Sequence, residues 1–156
     1  VARAVGLDGT VPTAKDVTLL YLVKQVELAV RHRLDAVVAE HGLTSLQYTA
    51  LTVLARHPGM SAADLARNSF VRAQTMTQMV LDLEGKGHLS REVDPSSRRR
   101  MLLTLTDRGR RVLEDLREPV AALEAGMVEG MSAADRAAFR AALESARRAL
   151  GQAPPR

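Results

Sequence analysis

The chain has no cysteine and no tryptophan, and aromatic residues make up only 3% of its 156 positions. The missing cysteine excludes disulfides, thiolate metal sites, cysteine nucleophiles and thiol-based redox sensing together. The scarcity of aromatic rings excludes a stacking platform for single-stranded nucleic acid. No apolar run approaches the roughly 20 residues that a bilayer span needs. The stretch Val1 to Gly9 also lacks the continuous apolar segment of a secretory signal. These absences point to a soluble, cytoplasmic protein with no membrane partner. Enzyme signatures are missing too: there is no glycine-rich phosphate loop, no His-Glu-x-x-His pair and no Gly-x-Ser-x-Gly elbow. Carboxylates alternate with arginines on helix faces, as solvated pairs do. The four histidines, His32, His41, His57 and His88, stand at scattered spacings with no short-range ligand pair. No catalytic residue, metal site or cofactor is nominated.

What is present is a folding composition, with 46% hydrophobic and 26% charged residues. The length suits one domain-sized unit, or a smaller one that dimerises. The net charge of +4 is modest until it is located. Ten basic and six acidic residues fall between Met60 and Arg111, and the rest of the chain is balanced. One third of the sequence therefore carries the whole excess, which suggests a polyanion partner for that third.

Periodicity predicts a mainly α-helical fold. After a loose lead-in over 1–15, Leu19, Val23, Val26, Val30, Leu34 and Val37 form one apolar stripe running to about His41, where Gly42 can end a helix. Thr44 with Gln47 starts a second helix that stops near His57-Pro58-Gly59, and Ser61 with Asp64 starts a short third. A fourth helix spans roughly Arg72 to Lys86. Met76, Met79, Val80 and Leu83 form its buried face, and Arg72, Gln74, Thr75, Gln78 and Asp82 lie on or near the opposite one. The methionines at this spacing read as core. Gly85 and Gly87 then break the helix, and Leu89–Val93 and Met101–Leu105 read as two strands. Asp94-Pro95-Ser96-Ser97 is the turn between them, so Arg98, Arg99 and Arg100 load the hairpin tip. Thr106 caps a long helix carrying Val112, Leu113, Leu116, Val120, Leu123 and Met127, in which Pro119 is expected to force a kink or a local break. Ser132 and Asp135 cap a last helix through Leu150, which Gly151 ends.

Two helices in a tight turn, followed by a basic hairpin, describe a winged helix-turn-helix. Such a unit divides its labour: the helix offers polar side chains to base edges, and the hairpin offers cations to phosphates or a narrow minor groove. Gln74 and Gln78 share a helix face, and glutamine can pair bidentately with adenine. Taken alone, the arginine run also fits a solvated turn, and the glutamines also fit a plain polar surface.

The blocks Leu65-Ala66, Thr75-Met76-Thr77, Leu83-Glu84-Gly85-Lys86-Gly87-His88-Leu89, Asp94-Pro95-Ser96-Ser97-Arg98-Arg99 and Leu105-Thr106-Asp107-Arg108-Gly109 closely resemble, in order and spacing, the MarR family of bacterial transcriptional regulators. The resemblance covers roughly Asp16 to Leu150. It implies a homodimer whose terminal helices interlock, each subunit presenting one winged lobe to a pseudo-palindromic duplex. It also implies, for many members, repression that is relieved when a small phenolic or other aromatic effector binds between lobe and dimer domain. On that pattern 16–43 and 107–150 are dimerisation helices, 44–106 is the DNA-binding lobe, 1–15 is an N-terminal extension and 151–156 a tail. Arg72, Gln74, Thr75, Thr77 and Gln78 are the candidate recognition-helix contacts, Arg98, Arg99 and Arg100 the wing contacts, and Asp94 the wing brace. Two positions depart from the family's habit. Ser97 stands where an aspartate is common, and Arg72 where a small polar residue is common. The missing cysteine separates the chain from the family's peroxide sensors. A winged-helix dimer docking an acidic protein is the alternative reading.

Overall fold

The computed structural model describes residues 17–69 and 71–151. The expected extension over 1–15 and positions 152–156 of the tail therefore lie outside the described residues, as does the side chain of Arg98. Six helices and one hairpin follow in the order α1 (Leu19–Ala39), α2 (Ser45–Arg56), α3 (Ala62–Asn68), α4 (Ala73–Gly85), β1 (Leu89–Asp94), β2 (Ser97–Leu105), α5 (Asp107–Met127) and α6 (Ala133–Ala149). The architecture is mainly helical, with a two-stranded antiparallel wing. Among the described residues no helix is long and apolar enough to cross a membrane.

Local chemistry sets most boundaries. Thr44, Ser61 and Ser132 each form a full capping box with Gln47, Asp64 and Asp135, satisfying two end groups reciprocally. Thr18 and Thr106 cap α1 and α5 by accepting from the N–H three residues on. At the other ends, Gly42 and Gly87 take positive φ of 68° and 75°, which a side chain would resist. Gly85 lies inside α4 rather than breaking it, so Gly87 is the residue that stops the helix.

The core lies within the lobe. Val38, Leu51, Leu54, Leu65, Met76, Leu83, Leu89, Leu103 and Leu116 are fully buried, drawn from α1 through α5 and from both strands. Each such side chain is worth about 1.5–3 kcal/mol of burial. The strand pairing runs from Leu89 opposite Leu105 to Val93 opposite Met101, with a bulge before Asp94. On its other edge β2 is pinned at one point. Leu103 N–H donates to the Met60 carbonyl (2.8 Å), and Gly59 N–H donates to that of Leu103 (3.0 Å). By contrast, α6 buries no residue at all, and Leu19 and Leu20 of α1 are 80% and 78% exposed.

Two expectations need correction. Of the kink or local break expected at Pro119, the break does not occur: α5 stays helical from Asp107 to Met127. Both Pro119 and Asp115, whose carbonyl loses its helical donor, are exposed, so water can take the freed bond. The arginines do not sit at the hairpin tip either. The turn is confined to Pro95 and Ser96, and Arg98–Arg100 belong to strand β2.

The joint between α4, the wing and α5 is built on His88 and Gly109. His88 N–H donates to the Leu83 carbonyl (2.9 Å), and the His88 carbonyl accepts from Thr106 N–H (3.1 Å). Thr106 Oγ1 in turn donates to the Gly87 carbonyl (2.6 Å). A Cβ on Gly109 would lie 2.0 Å from the His88 carbonyl oxygen. Gly109→Ala should therefore destabilise the fold by about 2–3 kcal/mol through overpacking, although alanine is the better helix former. Gly85→Ala, with open space around it, should be neutral or stabilising. Denaturant midpoints check the contrast, and equal effects would remove the steric explanation.

His88 is only 4% exposed, and its Nδ1 has no partner. Burial first, then the charges of Arg108 and Lys86, hold its pKa below the ordinary 6.5. The unfolded chain thus binds a proton that the folded chain refuses. The stability that His88 contributes is therefore complete above about pH 7 and declines as pH falls through 6.5 toward the lowered folded value. His88→Leu should flatten this slope in denaturant melts between pH 7 and 5. A slope identical to wild type would assign the acid sensitivity elsewhere.

Candidate nucleic-acid interface

The residues nominated for DNA contact lie on α4 and on the wing, which packs against α4 through β1. Because Met76, Met79, Val80 and Leu83 are buried, the helical period turns Gln74, Thr75, Thr77 and Gln78 to solvent, and all four are exposed. Thr77 is partly occupied, its Oγ1 donating to the Ala73 carbonyl (3.0 Å). Arg72 is exposed and is the N-cap residue, at φ −65° and ψ 144°, with no side-chain cap bond. The other five helices each have a threonine or serine cap that accepts a first-turn N–H. At α4 alone those N–H groups remain unclaimed by a cap, at the positive end of the helix dipole beside a guanidinium.

The three arginines of β2 do not share one environment. Arg99 is exposed and pairs with no carboxylate among the described residues. Arg100 turns back onto the lobe: its terminal nitrogen lies 2.8 Å from Asp64 Oδ2 on α3, and its Nε lies 3.8 Å from Asp94 Oδ2. Asp94, 9% exposed, also closes the hairpin by accepting from Ser96 N–H (2.8 Å) and Ser96 Oγ (2.6 Å). Those two bonds chiefly hold its carboxyl below the usual carboxylate range, with Arg100 adding to the effect. Asp64 is lowered likewise, first by the Ser61 hydroxyl and then by Arg67 and Arg100. Asp64 thereby serves the α3 cap and the wing together, which the residue spacing does not reveal. On the opposite side of the wing Arg91 pairs with Glu84 of α4 (2.6 Å).

A second feature lies away from this face. A groove of about 490 Å³ opens between α2, the end of β2 and α5, lined among others by Tyr48, Thr52, Arg56, Leu105, Leu113 and Arg117. Arg117 is paired with Glu114 (2.7 Å), whereas Arg56 meets no carboxylate among the described residues. No group of three or more His, Asp or Glu side chains is placed to hold a metal ion among those residues.

Comparison with known proteins gives one consistent result. A model of the MarR family matches residues 41–100. The transcriptional repressor Rv2887 of Mycobacterium tuberculosis is 33% identical over 131 residues, covering 84% of this chain and 94% of the relative. Its crystal structure with salicylic acid superposes with a TM-score of 0.69 at 32% identity, over 86% of this chain and 100% of the other. The transcriptional repressor CouR, bound to a 23-mer DNA duplex, gives 0.77 at 31% identity, over 83% and 93%.

The Arg100 pairs are half exposed, so each contributes at most about 1 kcal/mol to stability. Their effect is on geometry. Arg100→Ala should leave the denaturant midpoint nearly unchanged while amide exchange in the outer wing, from Val93 to Arg100, accelerates several-fold. Unaltered protection there would show that the wing is held without this arginine.

Proposed function

The chain belongs to the MarR family of transcriptional regulators, DNA-binding proteins rather than enzymes, and from that premise we propose that it is a homodimeric, aromatic-acid-responsive repressor. What supports the reading is an exposed polar row on α4, Gln74, Thr75 and Gln78 behind an uncapped start at Arg72, together with a wing on which Arg99 is exposed and meets no carboxylate among the described residues. Short polar groups on a helix suit base edges in a major groove, and the free N–H groups beside Arg72 suit a phosphate. Arg99 suits the backbone or the neighbouring minor groove. Arg100 acts as a brace rather than a contact, since its charge is already matched by Asp64 and Asp94. Arg98 is assigned to the wing contacts on its sequence position.

Pairing of two chains follows from what one chain leaves uncovered. Leu19, Leu20, Leu22, Val23 and Val26 of α1, with Met127, Leu143 and Leu150 from α5 and beyond, are exposed large apolar side chains that a second chain can cover. The segments 17–43 and 107–150 form the seam, and 44–106 is the lobe each subunit offers to the duplex. Two lobes then address successive major grooves about 34–36 Å apart. In this reading the effector enters the groove between α2 and α5, whose lining offers Leu113 and Val120 to a ring and Arg56, Arg110 and Tyr48 to a carboxylate, with Glu114 and Glu124 also present. Occupancy favours a lobe spacing that no longer fits the duplex. The salicylic acid complex of the relative supports this class of ligand.

Duplex binding against salt tests the reading. With a site selected from genomic fragments, Arg99→Ala, which removes one cation from each of the two subunits, should reduce the log–log salt slope by about 1.8 and weaken all duplexes alike. Gln78→Ala should instead change which base is preferred, by about 1–3 kcal/mol. Added salicylate should weaken the wild type, and Arg56→Ala much less. Affinity for duplex DNA that is absent, or independent of salt, would refute the assignment.

A further inference from the structure

The far end of α4 is tied to the end of α1 by a closed polar circuit. It starts on α1, where Asp35 Oδ1 accepts from the N–H of Ser45, the first residue of α2 (2.7 Å). Gln47 continues it with both ends of one amide. Its Oε1 accepts from Thr44 N–H (3.0 Å), completing the α2 capping box, and its Nε2 donates to Asp82 Oδ2 on α4. Asp82 also pairs with Lys86 Nζ (2.7 Å), and that ammonium donates to the Gly42 carbonyl (2.9 Å) at the turn leaving α1. Lys86 Nζ lies 3.4 Å from Gln47 Oε1 as well, which closes the loop. Direct packing between α1 and α4 is otherwise slight. Asp82 is held below the usual carboxylate range, first by Lys86 and then by Gln47.

Resting on the DNA-binding reading above, we propose that Gln47 and Asp82 are positioning residues that fix the angle of α4 against the end of α1, and so relay movement of the dimer helices to the recognition helix. Gln47 is 7% exposed and cannot touch a duplex. It also sits on α2, the helix that walls the effector groove through Tyr48 and Thr52. A shift of α2 therefore pulls on Asp82 directly. Tight packing of Met76 and Leu83 keeps α4 in the lobe without this circuit, so its loss should free an angle rather than unfold a helix.

Electrostatics and positioning make opposite forecasts here, because Asp82 is an acid beside a surface meant for a polyanion. If it were only a charge, removing it would strengthen binding. Affinities are to be measured for wild type, Asp82→Ala, Gln47→Glu, and Gln47→Glu combined with Asp82→Asn. The probes are a duplex that the wild type selects from random-sequence DNA and a second duplex retaining one half-site. Asp82→Ala should weaken binding to the full site about tenfold, and to the half-site less than about threefold. Gln47→Glu keeps the capping box but sets a carboxylate against Asp82, and should lose about as much. Adding Asp82→Asn to it restores a donor–acceptor pair with reversed polarity, and should recover binding to within about threefold of wild type. Should Asp82→Ala fail to fold, the Gln47→Glu pair decides by the same ratios. Full-site binding as tight as wild type, equal losses on both duplexes, or no recovery in the double variant would overturn the relay. A wild type that selects no duplex would instead overturn the DNA-binding reading, and the relay with it.

Discussion

Everything this chain presents outward depends on the burial of one side of α4. Met76 and Leu83 are fully buried, and with Met79 and Val80 they fix the rotation of the helix about its own axis. An α-helix cannot bury that stripe without turning Gln74, Thr75 and Gln78 the other way. Apolar contact thus fixes where the polar groups point. The joint at His88 and Gly109 then sets the wing beside the helix, through a contact too close to admit even a methyl group. Rigidity here is functional, because a reading head that rotated freely would lose its register on a duplex.

Charge is arranged on that rigid frame in two classes. Some cations are matched within the lobe: Arg100 by Asp64 and Asp94, Arg91 by Glu84, Lys86 by Asp82. These pairs are partly solvent-exposed and weak as sources of stability, so their contribution is to angle and reach. Others, Arg72 and Arg99, have no carboxylate partner among the described residues and remain available to an anion. A basic excess between Met60 and Arg111 is therefore not uniform. It separates into groups that hold the surface in shape and groups that face outward from it.

Much of the fold could be read directly, because its signals are local. Thr44 with Gln47, Ser61 with Asp64 and Ser132 with Asp135 cap the helices they were expected to cap, since both partners lie within one turn. Gly42 and Gly87 stop helices for an equally local reason. Pro119 leaves α5 unbroken because it stands on an exposed face, where solvent can take the freed carbonyl, and residue type alone says nothing of exposure. The arginines shifted from tip to strand because the Asp94–Ser96 bonds close the turn within Pro95 and Ser96, two residues where the sequence suggested the four from Asp94 to Ser97. As for the candidate site, the exposed face of α4 was legible from its period alone. The Arg100–Asp64 and Gln47–Asp82 links were not, since their partners stand 36 and 35 residues apart and no periodicity connects them.

The core assertion is that α4 and the wing of each subunit form one gripping face, used twice by a paired molecule. Hydroxyl-radical footprinting of the protein on its selected duplex addresses this most directly. The expected pattern is two protected stretches related by a two-fold axis, centred about one helical turn apart, each flanked by protection in the adjoining minor groove. A single protected stretch, or two with no symmetry between them, would contradict it.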